Sequence, residues 1–358
     1  MRKDKTKIVF LGDTLINEEP LGVQRYALEI IKEIDKLSVP WPIEVLVPNV
    51  EECSLVLDNI KVVKYGKYNR TGFVWRQIDY PKYIRRQNAL SVDLTLGLCI
   101  WGSDIVCLHD CIYENYPKDF VGLKRQLKRY SYLFRAQRNV KRSRLLLTVS
   151  NTSKNELVSY YRIPESKVVV INDAWQHMTN VEEDDNILDE LNLSEKAFYF
   201  TLGSQLPHKN FKWIVQAAMC NPDKLFVVTG SRKITSCSED YNDCPNIIYS
   251  GFLTDGQVKS LMKNSKLFVF PSLYEGFGIP PLEALASETN IAVSNCSCLP
   301  EIYGNSAVYF DPLKYEIDMD SIVADSEKVS ANEREKILSK YSWRKSAEAL
   351  LEAIVRIM

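Results

Sequence analysis

The feature that most constrains this chain is a recurring short apolar run rich in β-branched residues. KIVFLG (7–12), IEVLVP (43–48), IKVVKY (60–65), VDLTLG (92–97), DIVCLH (104–109) and RLLLTVS (144–150) occupy the first half. FYFTLG (198–203), KLFVVTG (224–230), NIIYSGF (246–252), KLFVFPS (266–272) and NIAVS (290–294) follow in the second, mostly separated by longer helix-compatible stretches. Strands apolar along nearly their whole length have no water-facing side. They belong in parallel sheets covered by helices on both faces. At 358 residues the chain exceeds one ordinary core and suits two. The reading is α/β, with two doubly wound domains at 1–175 and 190–340 and the acidic stretch 179–196 as their linker. The closing segment, 341–358, has the apolar stripe of a helix and is expected to pack back toward the N-terminal domain. Open sheets of this kind bind ligands beyond the carboxyl ends of their strands. The site is therefore expected there, in a deep cleft that the two domains face.

Composition narrows the function. No run of about 18 apolar residues is present, so no membrane-spanning helix is expected. The charged start, MRKDKTKIVFLGD, has neither the apolar core nor the cleavage site of a signal peptide. Nine cysteines without paired CxxC spacing argue against a zinc site or a disulfide framework and for reduced thiols in a cytoplasmic protein. The net charge of −1 hides a split: residues 1–172 carry 28 Lys/Arg against 19 Asp/Glu, and residues 173–358 carry 17 against 27. The first half is expected to face something acidic.

The string PSLYEGFGIPPLE, 271–283, sets Glu275 and Glu283 eight positions apart around two glycines and a Pro-Pro pair. It reads as strand end, loop and helix start, because proline suits a first helical turn. Glu275 then lies in the loop and Glu283 in the first turn. Backbone amides at Phe277, Gly278 and Ile279 are placed to meet a polar or phosphate oxygen at a helix N-terminus. A carboxylate accepts two hydrogen bonds from a vicinal diol, so a sugar nucleotide suits the pair: ribose at Glu283, sugar hydroxyls at Glu275. The plainer alternative is a dipole-complementing Glu283 and a solvated Glu275.

EGFGIPPLE, with its two glutamates separated by seven residues, resembles the signature of the retaining glycosyltransferases of family four. That family has the GT-B architecture of two Rossmann-like domains. The resemblance extends over LGVQRYALEI (21–30), CLHDCIYENYP (107–117), LTVSNTSKNEL (147–157), VVVINDAWQH (168–177), YFTLGSQLPHKNFKWIVQA (199–217) and SCLPEIYGNSAVYFDP (297–312). It implies a nucleoside diphosphate sugar as donor, a saccharide or lipid-linked saccharide as acceptor, retention of anomeric configuration, and no cofactor or metal. The wording resembles bacterial mannosyl- or rhamnosyl-type polysaccharide enzymes most.

The resemblance also implies site residues. His109, at the end of DIVCLH, would contact the transferred sugar. Lys209 would neutralise the diphosphate. Ser204 stands where the family usually has an arginine, so one cation is missing from the donor-binding set; Arg25, Lys212 and Arg232 are candidate substitutes. Gly22 would bring backbone to donor or acceptor, or serve as a helix-start turn. Glu301 would bond a hydroxyl or cap its helix. Glu288 occupies a position where glycine is common. His177 and His208 divide evenly between structural and site roles.

Residues 118–144 carry ten Lys/Arg and one Asp, with Phe120, Leu123, Leu127, Tyr130 and Phe134 at helical spacing. The plain reading is a surface helix packed on its sheet with a solvated basic face. The sharper reading is a face for anionic lipid headgroups. Nucleic acid is not expected as a partner, since no binding module is recognisable and the pI is about 6.4. The sequence thus points to a cytoplasmic, peripherally membrane-associated hexosyltransferase. The alternatives are a non-catalytic sugar-nucleotide-binding subunit, which Ser204 favours, and an epimerase of the same architecture, which the glutamate spacing disfavours.

Overall fold

A computed structural model describes residues 5–16, 22–203, 206–230 and 244–358. The chain divides into two compact units, residues 1–173 with 343–358, and residues 174–342. In the first unit, β1 (Ile8–Leu11), β2 (Ile43–Pro48), β3 (Lys61–Tyr65), β4 (Leu90–Asp93), β5 (Ile105–Cys107), β6 (Leu145–Thr148) and β7 (Val168–Val170) form a sheet in the order β3-β2-β1-β4-β5-β6-β7. In the second, β8 (Phe198–Thr201), β9 (Leu225–Val228), β10 (Ile247–Tyr249), β11 (Leu267–Phe270), β12 (Ile291–Ser294) and β13 (Val308–Phe310) run β10-β9-β8-β11-β12-β13. Every recorded strand pairing is parallel, for example Ile8 with Ile43 and Phe268 with Ile291. The central strands are buried along their whole length, as their unbroken apolar runs require.

The helices that matter below are α1 (Val23–Asp35), α2 (Gly72–Gln87), α3 (Leu123–Arg142), α4 (Asn151–Tyr161), α5 (Phe211–Cys220), α6 (Ile279–Ala286), α7 (Leu299–Tyr303) and α8 (Trp343–Val355). The C-terminal α8 packs in the first unit, where Trp343 meets Tyr26 of α1 edge-on and the Ser346 hydroxyl donates to the Asn172 carbonyl at 2.6 Å. Residues 179–196, read from sequence as a linker, instead hold a short helix, Asn186–Glu190, with Ile187 buried. In each sheet the strand order reverses at one pair, β1/β4 and β8/β11, and the loops that follow such strands are where this architecture collects ligand-binding groups.

The basic segment departs from the packed-stripe expectation. The face of α3 that enters the core is Tyr132, Ala136, Asn139 and Val140, while Leu123, Leu127, Tyr130 and Phe134 are exposed. Phe120 precedes the helix and stacks on Tyr113.

Candidate active site

The second unit builds its site from the loops after β8 and β11, the two strands at its switch point. Asn210 adopts a left-handed backbone (φ 54°), and its side-chain amide donates to the carbonyls of Pro271 and Pro312 at 3.2 and 3.0 Å. The Leu273 amide donates to the His208 carbonyl at 2.7 Å. These bonds fasten the loop after β8 to the loop after β11. They bring the Lys209 ammonium to 2.6 Å from Glu275 Oε1, which also accepts from the Ser272 hydroxyl at 2.6 Å. The Ser297 hydroxyl donates to the Glu275 carbonyl at 2.8 Å, so the segment after β12 holds the same loop from the other side.

Gly278 turns that loop into α6 with φ +83°, a left-handed backbone. A Cβ there would lie 2.8 Å from Leu299 Cδ2, so a larger residue would strain the backbone torsion and also force that leucine tip to shift. The Tyr303 hydroxyl donates to the Gly278 carbonyl, and Phe277 is buried edge-on against Tyr341. Pro280 and Pro281 carry no N–H, so the amides of Phe277, Gly278 and Ile279 are the donors of this turn. Glu288 closes α6 with φ +62°, the conformation that explains why glycine suits that position.

Glu283 lies one turn along α6, and its Oε1 is 2.8 Å from His177 Nε2. Both side chains are nearly enclosed, His177 at 4% and Glu283 at 14% exposure. His177 sits in the turn Gln176–Asn180. That turn is anchored by bonds from Trp175 Nε1 to the Leu338 carbonyl (2.9 Å) and from the Gln176 amide to the Tyr341 carbonyl (3.0 Å). The sequence left His177 undecided, and its role as the partner of Glu283, 106 residues away, was not legible there. Glu301 stands in the first turn of α7, partly exposed. Ser204 and Arg232 lie outside the described residues.

In the first unit, His109 follows β5 and is buried. Its Nε2 is 3.0 Å from the Leu94 carbonyl, and the Tyr26 ring meets it edge-on at 4.8 Å between centroids. A carbonyl can only accept, so Nε2 carries the proton and Nδ1 keeps its lone pair. Burial pulls the imidazole down to about 4, so it is neutral at physiological pH. Gly22 caps α1 at φ +47° with open space where a Cβ would be, and Arg25 lies in the first turn of that helix. Beyond His109, Glu114 accepts from the Tyr161 hydroxyl, and burial pushes its carboxyl up to about 7.

Lys209, Glu275 and Ser272 therefore form one cluster and His177 with Glu283 a second, both at the start of α6. Among the described residues no group of His, Cys, Asp and Glu has the arrangement of a metal site, and no helix is long and apolar enough to cross a membrane.

Residues 183–345, which contain these clusters except His177, match the family model for glycosyl transferases group 1. The chain is 25% identical to the O-antigen chain mannosyltransferase B of Escherichia coli, over 89% of each chain. It is 29% identical to the serotype-specific mannosyltransferase WbdA of Escherichia coli over 61% of this chain, and that match spans only 29% of the WbdA length. The structure of Anabaena HepE in complex with UDP-glucose superposes with a TM-score of 0.68 at 14% identity, over 98% of this chain and 100% of that one, a likeness of fold. Residues 183–345 thus match the glycosyl transferases group 1 model, the chain is similar to bacterial O-antigen mannosyltransferases, and its two parallel-sheet units have the GT-B fold.

Proposed function

We propose that this protein transfers a hexose, with mannose the first candidate, from a nucleoside diphosphate sugar to a saccharide or lipid-linked saccharide during surface polysaccharide synthesis. Transfer keeps the anomeric configuration and uses no metal. The donor lies along the start of α6. Glu283, held by His177, accepts the ribose hydroxyls, and the amides of Phe277, Gly278 and Ile279 meet polar oxygens of the donor. Lys209 has three N–H donors, of which Glu275 engages one, and the others are available to the diphosphate. As the leaving diphosphate gains charge, the ammonium's attraction grows, which is stabilisation specific to the transition state. Glu275 accepts hydroxyls of the transferred sugar. The acceptor oxygen attacks the anomeric carbon on the face the diphosphate leaves, and the leaving phosphate takes its proton. Glu301 completes the proposed donor contacts of the second unit. The protein works peripherally at the inner face of the membrane that carries the acceptor.

The observation that carries this reading is the joining of the two glutamates of EGFGIPPLE to a cation and to a buried histidine, within a matched glycosyltransferase domain. Homology to two mannosyltransferases supports the sugar, and the UDP-glucose bound in HepE supports a nucleotide-sugar donor. The test is transfer from UDP-, GDP-, ADP- and dTDP-hexoses to lipid-linked saccharides with and without EDTA, with proton NMR of the new anomeric centre. An α-linked product from an α-donor, unaffected by EDTA, is expected. An inverted product, or activity abolished by EDTA, refutes the mechanism.

A further inference from the structure

At the amino ends of β4 and β5, the opposite end of β5 from His109, lies a cavity of about 200 Å³. One water needs roughly 10–15 Å³ of such space, so a small molecule fits. Its wall comes from α2, from the turn before β5 and from the last residue of α3. Tyr80 (1% exposed) and Ser103 (3%) line it, and neither hydroxyl has a hydrogen-bond partner among the described residues. A buried hydroxyl without a partner is unfavourable. Two of them in one cavity point to a ligand that completes their bonds.

The other groups of the wall are charged or aromatic, and they are held in place. Asp104 Oδ2 accepts from the Ser91 amide (3.0 Å) and hydroxyl (2.8 Å), which leaves Oδ1 as an open acceptor. The Asp104 amide donates back to Ser91 Oγ at 2.8 Å, so the carboxylate is fixed from both directions. Trp101 donates its indole N–H to the Gln77 carbonyl (3.1 Å) and accepts at its own carbonyl from Arg142 (3.0 Å). The Arg85 guanidinium lies over its ring, 5.1 Å from the centroid. Gly102 makes this corner possible: its φ is +81°, and a Cβ there would lie 2.9 Å from Arg142 Cβ. Apart from the one bond of Arg142, neither guanidinium donates a hydrogen bond among the described residues. Guanidiniums select phosphate oxygens. An open carboxylate oxygen beside them selects a hydroxyl rather than a second anion.

We infer that this cavity is a second binding site, for a small phosphorylated polyol of the sugar-phosphate class. Arg85 and Arg142, both exposed, take the phosphate at the rim. Asp104 Oδ1 accepts from a ligand hydroxyl. The buried hydroxyls of Tyr80 and Ser103 bond its remaining oxygens at the floor, and Trp101 closes one side. Every one of these residues belongs to the first unit, whereas the proposed donor contacts at the start of α6 belong to the second. The inference does not depend on the transferase reading, because binding is measured without donor or acceptor.

The test is isothermal titration calorimetry of the full chain with glucose 1-phosphate, inorganic phosphate and glucose. Glucose 1-phosphate is expected to bind most tightly. Arg85→Gln should weaken it about tenfold or more, as loss of a hydrogen bond to a charged group does. Tyr80→Phe with Ser103→Ala should also weaken it about tenfold. That variant should keep or raise the melting midpoint of the ligand-free protein, because the hydroxyls it removes have no partners. Glu283→Ala should bind like wild type. A wild type that binds none of the three overturns the proposal, as does binding unaltered in folded Arg85→Gln and in the folded hydroxyl variant. Binding lost in Glu283→Ala overturns it too, by placing the phosphate at α6. Inorganic phosphate bound as tightly as glucose 1-phosphate overturns the assignment to a polyol.

Discussion

Removing His177 should weaken the donor while largely sparing the chemical step. Its ring nitrogen is 2.8 Å from Glu283 Oε1, and both side chains are nearly closed to water. A hydrogen bond to a charged group contributes about 1.5–3 kcal/mol. At about 1.4 kcal/mol per tenfold, His177→Ala should raise the donor KM or Kd by about 10- to 150-fold. The effect on kcat should be several-fold smaller, because ribose contacts are made alike in ground and transition states. His177→Gln places an amide N–H near the position of Nε2 and should recover most of the loss. Steady-state kinetics with the donor varied, beside a thermal melt for each variant, separates positioning from misfolding. A 2′,3′-dideoxy donor adds a second check: His177→Ala should lose much less against it than against the natural ribose. A donor KM within twofold of wild type in folded His177→Ala, or a Gln variant as poor as Ala, would mean that His177 does not position Glu283 for the ribose.

Four further outcomes are expected. Glu275→Ala should cut turnover by about a hundredfold or more in the transfer assay, as removal of other transition-state contacts does. Lys209→Met should lower kcat as well as donor affinity, since the diphosphate charge that it offsets grows as the bond breaks; competition by free nucleoside diphosphate measures the ground-state part. Gly278→Ala, with its Cβ forced 2.8 Å from Leu299 Cδ2 at φ +83°, should destabilise the second unit by about 2 kcal/mol and lower its melting midpoint by about 4–8 °C. His109 refuses below pH 6.5 the proton that the unfolded chain accepts, down to about pH 4. Stability should therefore fall by about 3 kcal/mol across that window as pH drops, relative to His109→Gln, in denaturant titrations.

The fold was legible because its strands are apolar on both faces, a pattern that parallel sheets between helices demand. The strand β13 was not among the expected runs, since three residues at a sheet edge leave little periodic signal. The helix Asn186–Glu190 is hidden in acidic composition, with Ile187 its buried residue. The loop around Glu275 and Glu283 was legible because glycine and proline impose a strand-loop-helix turn whatever surrounds them. The Lys209 and Glu275 contact, made across 66 residues, needed the strand order β8-β11 to bring the two loops together. The outward stripe of α3 shows the limit of periodicity. A 3.6-residue repeat reveals that an apolar stripe exists, but the inward face here is set by small Ala136, by Val140 and by Asn139, whose amide donates to the Cys99 carbonyl.

The start of α6 is proposed to hold a nucleoside diphosphate sugar through Glu283. The most direct measurement is a thermal-shift titration of wild type and Glu283→Ala against UDP-, GDP-, ADP- and dTDP-hexoses in EDTA. A base-selective rise in the wild-type melting midpoint that disappears in Glu283→Ala is expected. No shift with any donor, or an equal shift in both proteins, would contradict it.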